Sequence, residues 1–324
     1  MSDQVQPAPL TEKIPIGISS CLLGDRVRYD GGHKGHSYIT GTLGEYFEFR
    51  SFCPELAIGL GVPRKPIRLV RTGEKDIHCV EINDQDKNYT EQLTDCAEAQ
   101  SAWLKTLCGY ILKKDSPSCG MERVKVWGDN MPMRDGVGLF ARRLMENFPY
   151  LPVEEEGRLG DSVLRENFVQ RVFVMQRWLE LNSAAMSVGK LVDFHARHKL
   201  IIMSHDQTCY RELGRLVANT NKENLSSNAL EYLLGLMQAL KIRATRKNHV
   251  NVLQHIQGYL KNHLGADDKQ ELVQTIENYR LGLLPLIVPI TLLNHFFRKH
   301  PNEYISNSWY MNPYPSELCL QNAI

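Results

Sequence analysis

Three of the eight cysteines come after short apolar runs that lie far apart in the chain. They are Cys21, Cys53 and Cys119, and the runs before them cover residues 14–19, 49–52 and 109–112. Runs of this length are typical of β-strands, and in an open α/β sheet the functional site lies beyond the carboxyl ends of the strands. The spacing therefore predicts that the three thiols share one site.

A carboxylate and a hydroxyl stand beside two of these thiols. Glu55 follows Cys53 after a single proline, and Ser116 precedes Cys119 in the loop at residues 113–120. A proline in this loop fixes one backbone dihedral, and the glycine at its end permits a sharp exit. A rigid loop can present Ser116 and Cys119 to one cavity. We therefore expect Glu55 and Ser116 to act beside whatever the thiols bind.

Three thiolates are an incomplete ligand set for the metal groups that cysteines commonly hold. A structural zinc ion takes four protein ligands, whereas a [4Fe-4S] cluster held by three thiolates leaves one iron open. The chain has no CxxC pair, so the spacing alone leaves zinc, a cluster and plain buried thiols as alternatives. The remaining cysteines lack such polar neighbours and are predicted to be structural: Cys79, Cys96, Cys108, Cys209 and Cys319.

The composition is typical of a soluble globular protein, with a net charge of +1, 43% hydrophobic residues and 23% charged residues. The near-neutral charge gives no global field that would attract a polyanion. The longest uncharged apolar stretch, at residues 281–293, contains two prolines and is too short to span a bilayer. The first residues show no signal peptide. We expect a cytoplasmic protein without membrane contact, in which disulfides are disfavoured.

The first half alternates apolar runs with helical stretches. Strands are predicted at residues 14–19, 49–52, 67–71, 79–82, 109–112 and 123–127. Helices are predicted at residues 41–47, 89–107 and 136–148, after a loose leader at residues 2–12. This alternation is typical of an α/β domain with a parallel or mixed sheet, Rossmann-like in its layout.

The second half changes character after a charged, glycine-punctuated segment at residues 154–160, which is predicted to be a linker. Beyond it, apolar residues recur at every third or fourth position, a period typical of amphipathic helices. The chain is therefore predicted to join an α/β domain at residues 1–157 to an all-α domain at residues 158–324.

Four motifs in the first half resemble the thiouracil desulfidase family over roughly residues 14–155. They are SCLLG at residues 20–24, VRYDGG at 27–32, CPE at 53–55 and KKDSPSCG at 113–120. The resemblance implies an oxygen-sensitive [4Fe-4S] cluster bound by Cys21, Cys53 and Cys119, whose open iron takes the sulfur of a thiolated pyrimidine. It also implies that Glu55 and Ser116 assist the reaction.

The second half resembles the YbgA domain that is often fused to this desulfidase. The likeness lies in FHARHK at residues 194–199, MSH at 203–205, RKNHVNVLQH at 246–255 and GYL at 258–260. Fused proteins of this kind are associated with removal of sulfur from 4-thiouridine in tRNA. The resemblance therefore implies tRNA as a partner, with a small thiolated pyrimidine as the other substrate class.

The chemistry that follows is hydrolytic cleavage of a C–S bond. A soft thiocarbonyl sulfur should bind the open iron, which acts as a Lewis acid on the ring carbon. Glu55 is predicted to act as a general base toward water, and Ser116 to hold the water or the pyrimidine edge. The products would be uracil or uridine and sulfide, with no net redox change.

Further polar residues are candidates for substrate contacts. Asp30, Arg64 and Lys113 stand in or near the motifs of the first half and are predicted to position the substrate or its phosphate. Basic groups in the second half are predicted to neutralise RNA phosphates: Lys190, Lys199, Arg243, Arg246 and Lys247.

Two alternatives compete with an iron-sulfur desulfidase acting on tRNA. One is a zinc-stabilised RNA-binding module without catalysis, in which Glu55 completes the ligand set of the three cysteines. The other keeps the enzyme but restricts it to free thiouracil or thionucleosides, and makes the helical half a protein-interaction domain.

Overall fold

The computed structural model describes residues 12–73, 76–128, 131–183, 185–318 and 320–322. Cys319 and almost all of the predicted leader lie outside these ranges. The chain forms two compact units, Met1–Asp161 and Ser162–Ile324. The functional domain boundary placed after residue 157 stays a prediction.

The first unit contains two sheets. Its strands are β1 (Ile14–Ser19), β2 (Phe47–Phe52), β3 (Ile67–Arg71), β4 (Ile77–Glu81), β5 (Asp84–Asn88), β6 (Gly109–Leu112), β7 (Val124–Trp127), β8 (Met133–Gly136) and β9 (Val153–Glu155). One sheet has the order β2-β1-β6-β9 and is parallel throughout. The other has the order β5-β4-β3-β7-β8 and is mixed, because β3 and β7 are parallel and the other pairs antiparallel. The predicted α/β class is confirmed, with two sheets in place of the one expected.

The parallel sheet brings three strand ends to one edge. β1 is buried along nearly its whole length, as expected for a strand covered on both faces. Gly17 is required in its middle, because a Cβ there would lie 2.4 Å from the ring of Tyr110 on β6. Ser19 at the end of β1 pairs with Phe52 at the end of β2, and β6 runs parallel on the other side. The segments after β1, β2 and β6 therefore start side by side.

The helices of the first unit are short. They are α1 (Ser37–Thr40), α2 (Pro54–Ala57), α3 (Thr90–Ala99), α4 (Ser101–Leu104) and α5 (Leu139–Asn147). Leu104, Phe140 and Leu144 pack with Tyr110 of β6 in a buried cluster. This core fixes the strand that leads into the Cys119 loop.

Three helix predictions need correction. The helix expected at residues 41–47 is wrong, because that segment holds a 3-10 turn at Leu43–Glu45 and then enters β2 at Phe47. The helix expected at residues 89–107 is interrupted at Gln100, between α3 and α4. Gly136 belongs to β8, so α5 begins only at Leu139.

The predicted linker at residues 154–160 is also wrong, because its first residues form β9. All three side chains of β9 are buried, although two of them are glutamates. Glu154 accepts a hydrogen bond from Nε of Arg158 at 2.6 Å, and Glu155 accepts one from the amide of Met121 at 2.7 Å. These hydrogen bonds compensate for the cost of burying the two charged side chains. A search for apolar runs cannot detect a strand that is buried in this way.

The described part of the second unit consists of helices and contains no strand, so the all-α prediction is confirmed. The helices are α6 (Ser162–Ser183), α7 (Val188–His205), α8 (Gln207–Ala218), α9 (Leu225–Lys241), α10 (Arg246–Gly258), α11 (Ala266–Arg280), α12 (Ile287–Lys299) and α13 (Glu303–Ser306). Ser187, Asp206 and Thr245 cap α7, α8 and α10 by accepting hydrogen bonds from backbone amides. Within the described ranges, no helix has the length and apolarity needed to cross a membrane.

Candidate active site

The three predicted cysteines line one cavity of about 400 Å³. Cys21 lies in the 3-10 turn Ser20–Leu23 that follows β1, and Cys53 follows β2 directly. Cys119 lies in the loop between β6 and β7. The parallel order of β2, β1 and β6 therefore brings together residues that are distant in the sequence.

Burial governs the protonation of these thiols. It raises the pKa of Cys21 to about 11, and it also raises the pKa values of Cys53 and Cys119. Neighbouring sulfur and carboxylate groups add to the effect at Cys119, whereas hydrogen bonds from Ser19 and Ser118 oppose it. The thiols are thus protonated near neutral pH unless a positive group binds them. A metal centre is the kind of group that stabilises three buried thiolates together.

Glu55 lies in the same cavity with both carboxylate oxygens hydrogen-bonded. Its Oε2 accepts hydrogen bonds from Nε and Nη2 of Arg64, at 2.9 Å and 2.6 Å. Its Oε1 accepts one from the Ser118 hydroxyl at 2.7 Å. The side chains of Arg64 and Glu55 are only 6% and 14% exposed. These hydrogen bonds hold the Glu55 carboxylate in one orientation. Arg64 also lines the cavity, so its contact with substrate stays a prediction.

Ser116 reaches Glu55 only through Ser118. The Ser116 oxygen lies 3.0 Å from the Ser118 oxygen and accepts a hydrogen bond from the amide of Cys119 at 3.1 Å. Because the Ser118 hydroxyl donates its proton to Glu55, the hydrogen bond between the two serines runs from the Ser116 hydroxyl to the Ser118 oxygen. Sequence reasoning selected Ser116 and missed the fully buried Ser118, although both serines flank the same proline.

The loop that carries these serines is anchored by buried polar groups. The amide of Lys113 donates to the Ser19 hydroxyl at 3.0 Å, and the amide of Lys114 donates to Glu156 Oε2 at 2.7 Å. The Lys113 ammonium also donates to Glu156, through Oε1. At the far end of the loop, Glu155 accepts a hydrogen bond from the amide of Met121 at 2.7 Å. Glu155, the last residue of β9, and the following Glu156 therefore hold the two ends of the loop, a role that no pattern in the sequence indicates.

The same loop packs closely against Gly138, the residue that precedes α5. A Cβ at Gly138 would lie 2.6 Å from the backbone carbonyl of Ser118. The absence of a side chain therefore permits the close approach that encloses Ser118.

Two other predicted substrate residues lie in different surroundings. Lys113 lines the cavity, together with Arg28 and Tyr29. Asp30 is exposed, lies 3.6 Å from Arg28 and accepts a hydrogen bond from the amide of Gly32. That hydrogen bond holds the pKa of Asp30 below its ordinary value. Asp30 therefore contributes to a turn beside the cavity rather than to its wall.

The predicted RNA-contacting residues lie at several places on the helical unit. Arg243 and Arg246 line a cavity of about 240 Å³, where Arg246 donates to the carbonyl of Tyr279 at 2.9 Å. Lys247 is exposed beside them. Lys190 donates to the carbonyl of Ala185, and Lys199 lies 4.3 Å from the ring centre of Tyr304. The structure thus groups Arg243 with Arg246 but does not join all five residues in one patch.

The donor set favours a cluster over a single zinc ion. In the part of the chain that the structure describes, no three His, Cys, Asp or Glu side chains are close enough to hold one metal ion. Glu55, the fourth ligand of the zinc alternative, has both oxygens engaged by Arg64 and Ser118. In a [4Fe-4S] cluster each cysteine binds a different iron, so three thiols around a cavity fit such a group.

Comparison with known proteins assigns each part of the chain to a family. The profile of the 2-thiouracil desulfurase family matches residues 16–156, and that of a protein family of unknown function (DUF1722) matches residues 199–315. Uncharacterized protein YbgA of Escherichia coli (strain K12) is 30% identical over 167 residues, which cover 51% of this chain and 96% of YbgA. Uncharacterized protein YbbK of Bacillus subtilis (strain 168) is 33% identical over 110 residues, covering 32% of this chain and 72% of YbbK.

One solved structure is also similar. It is a [4Fe-4S]-dependent thiouracil desulfidase, TudS, with 32% sequence identity and a TM-score of 0.38, covering 46% of this chain and 95% of that chain. The family matches confirm the resemblance of both halves. The chain belongs to the 2-thiouracil desulfurase family, and it joins that domain to a DUF1722 domain of the YbgA type.

Proposed function

We propose that this protein removes sulfur from thiolated uracil by hydrolysis and that its main substrate is 4-thiouridine in tRNA, which it converts to uridine. The observation that carries the proposal is the single cavity that contains Cys21, Cys53, Cys119 and the hydrogen-bonded Glu55. Family membership supports thiouracil as the substrate class. The basic helical domain supports the extension to RNA.

Cys21, Cys53 and Cys119 would hold a [4Fe-4S] cluster, which supplies a Lewis-acidic iron without a protein ligand for the thiocarbonyl sulfur. Because disulfides are rare in reducing compartments, seven free cysteines in the described chain agree with a cytoplasmic enzyme. Burial of the ligands limits the access of water to the metal site.

Glu55 acts as the general base toward the attacking water. Arg64 occupies Oε2 with two N–H groups, so a proton arriving there would break two charge-assisted hydrogen bonds. Oε1 carries only the Ser118 hydroxyl, which can rotate away. The proton therefore arrives at Oε1, while Arg64 keeps the carboxylate in place.

Ser118 and Ser116 adjust to that proton. When Oε1 is protonated it becomes a donor, and the Ser118 oxygen can accept its hydrogen bond if the Ser118 proton turns away. The sulfur of Cys119 lies 3.7 Å from the Ser118 oxygen and the Ser116 oxygen lies 3.0 Å from it, so either can accept. Ser116 stays available at the cavity wall to orient the pyrimidine or the water.

The reaction is balanced without an oxidant or a reductant. Water adds its oxygen to the ring carbon and gives one proton to Glu55. The C–S bond then breaks as the carbonyl of uracil forms, and the sulfide leaves with the electron pair and the second water proton as HS⁻. Glu55 returns its proton to HS⁻, so that H2S is released and the resting carboxylate is restored.

The tRNA substrate rests on the helical domain. Four basic residues lie within seven positions without an acid between them: Lys241, Arg243, Arg246 and Lys247. Arg243 and Lys247 are exposed, which suits them to contacts with phosphates. Lys190 and Lys199 are proposed as further contacts on α7.

The test begins with protein purified without oxygen. We expect brown absorption, iron and acid-labile sulfide, and release of sulfide from 2-thiouracil, 4-thiouridine and tRNA that contains 4-thiouridine. A colourless protein that binds zinc would refute the cluster. Activity on the free bases combined with intact 4-thiouridine in tRNA would refute the RNA substrate while leaving the desulfidase in place.

A further inference from the structure

A second cavity of about 410 Å³, within the helical unit, has the features of an anion site. Its walls include Arg177 of α6, Arg197 and His198 of α7, and Trp309, which follows α13. Lys190 also lines it. We call it the Trp309 cavity. The residues that line this cavity have no role in the proposed reaction. Only Lys190 has been assigned a contact, with an RNA phosphate.

Two guanidinium groups lie against one indole in this cavity. The guanidinium carbons of Arg177 and Arg197 are 3.7 Å and 4.4 Å from the ring centre of Trp309. Arg177 donates through Nη2 to the carbonyl of Pro313, and Arg197 donates through Nε to the carbonyl of Asn307 at 3.2 Å. The amide of Trp309 in turn donates to the carbonyl of Arg197 at 2.9 Å. Both cations are therefore fixed before any ligand arrives.

The positive charge of these arginines has little local compensation. Glu180 and Asp193 also line the cavity, but both are exposed. Across the described residues, neither forms an ion pair with Arg177 or Arg197, and Glu180 instead accepts a hydrogen bond from Gln176. Burial, together with the charge of Arg197, lowers the pKa of Arg177 to about 9. Two neighbouring cations without a paired carboxylate are costly, and a bound anion would offset that cost.

Two enclosed polar atoms at the cavity lack hydrogen-bond partners in the described chain: Nη1 of Arg177 and Nε2 of His198. His198 is 1% exposed, and its Nδ1 lies 2.7 Å from the carbonyl of Phe194. Since that carbonyl can only accept, Nδ1 carries the proton and Nε2 is an acceptor. Burial and the charge of Arg177 lower the pKa of His198 well below its ordinary value, so the ring stays neutral. A ligand that offers an acceptor to Nη1 of Arg177 and a donor to Nε2 of His198 would satisfy both atoms.

We propose that the Trp309 cavity binds a ribonucleotide phosphate, with Arg177 and Arg197 donating to phosphate oxygens and Nε2 of His198 accepting a hydrogen bond from the ribose 2′-hydroxyl. Guanidinium groups match phosphate oxygens in geometry, and the 2′-hydroxyl is the group that distinguishes RNA from DNA. The inference rests on the proposed function in taking an RNA chain as the source of the phosphate. A small phosphorylated ribonucleoside has the same chemistry and is the other source.

The test measures binding of the full-length protein to a labelled single-stranded RNA and to DNA of the same sequence, by fluorescence anisotropy. We expect the RNA to bind about tenfold more tightly, the effect of one hydrogen bond to a buried acceptor. Arg197→Gln should weaken binding of both nucleic acids by about tenfold, because it removes a charge-assisted contact. His198→Phe should leave DNA binding unchanged and reduce RNA binding to the DNA level.

Arg298→Gln is the matched control, since Arg298 is an exposed arginine on α12 outside this cavity. Arg197 is itself exposed, so its variant should fold, and equal melting temperatures would establish that. If Arg197→Gln binds both probes as Arg298→Gln does, the phosphate site is refuted. If the wild type binds RNA and DNA equally, the ribose contact is refuted.

Competition separates the two sources. Uridine 5′-monophosphate should displace the RNA only at concentrations far above the dissociation constant of the RNA. Displacement at a concentration near that constant would overturn the RNA chain as the source and favour a small ribonucleotide. Turnover of free 2-thiouracil by the wild-type protein, measured in parallel, tests the proposed function separately, because that substrate has no phosphate.

Discussion

The hydroxyl of Ser118 donates a hydrogen bond to Glu55, with 2.7 Å between Oγ and Oε1. Ser118→Ala should therefore lower turnover of 2-thiouracil by about ten- to a hundredfold, the usual effect of losing a hydrogen bond to a charged group. The cluster should stay, because Ser118 is not a ligand. Ser37→Ala, which changes an exposed serine on α1, is the control. Unchanged turnover in Ser118→Ala would show that Glu55 is oriented by Arg64 alone.

Replacement of Glu55 separates chemistry from assembly. Glu55→Gln keeps the shape of the side chain but removes the base, so we expect turnover to fall by about 10² to 10⁴. Iron content should stay at the wild-type level. Glu48→Gln is the control, because Glu48 lies on β2 and pairs with Arg50. This variant should behave like wild type. Loss of iron from Glu55→Gln would identify Glu55 as a ligand and contradict the mechanism.

The three cavity cysteines should each be needed for metal binding. Cys21→Ser, Cys53→Ser and Cys119→Ser should lose most iron and acid-labile sulfide, because a hydroxyl is a poor replacement for thiolate. Cys209→Ser is the control, since this thiol lies on α8 and contacts the carbonyl of Gly235. A full complement of iron in any of the three cavity variants would remove that residue from the ligand set.

Glu156 should matter for stability because it anchors the loop at residues 113–120 from outside the cavity. Its ion pair with Lys113 is largely buried, with side chains 10% and 14% exposed. Glu156→Gln should therefore lower the free energy of unfolding by about 3 kcal/mol, as is usual when one partner of a buried pair is lost. Glu98→Gln disrupts an exposed pair with Arg143 and should cost less than about 1 kcal/mol. Urea denaturation measures both, and equal midpoints would contradict the anchoring role.

Buried histidines should make the helical unit sensitive to acid. Burial lowers the pKa values of His195 and His205 to about 4 and that of His249 to about 3. Between pH 6.5 and 4 the unfolded chain gains protons that the folded chain does not, so stability falls as the pH falls. The free energy of unfolding should fall by on the order of 1.4 kcal/mol per pH unit for each histidine. Glu166 opposes the trend, because burial raises its pKa.

The urea midpoint measured from pH 7 to pH 4 tests this. His205→Gln should reduce the pH dependence of the midpoint by about the share of one histidine, and His263→Gln, which changes an exposed ring, is the control. A midpoint that is constant over this range would contradict the buried neutral state of these rings.

Apolar runs were sufficient to predict part of the fold. β1 and β6 occupy the predicted residues because each consists mainly of apolar residues, and β3 does so although two of its five residues are arginines. β5 and β8 were missed because their side chains are mostly exposed and polar. β9 was missed because its buried glutamates depend on partners elsewhere in the chain.

The site was predictable in kind but not in detail. Strand ends and polar neighbours were enough to select the cysteines and Glu55, which the structure places in one cavity. The choice between Ser116 and Ser118 depends on which hydroxyl faces Glu55, and only the folded loop determines this. The same holds for Arg64, whose partner is set by the turn after α2.

The position of β9 at the end of the first unit has a consequence for biosynthesis. A nascent chain that has emerged as far as residue 120 already holds all three cavity cysteines. It lacks Glu155 and Glu156, which fix the two ends of the Cys119 loop. Since those anchors leave the ribosome after the cysteines, we expect stable iron loading to wait until residue 156 has emerged, and a chain stalled or truncated before that point to expose reactive thiols instead of a finished metal pocket.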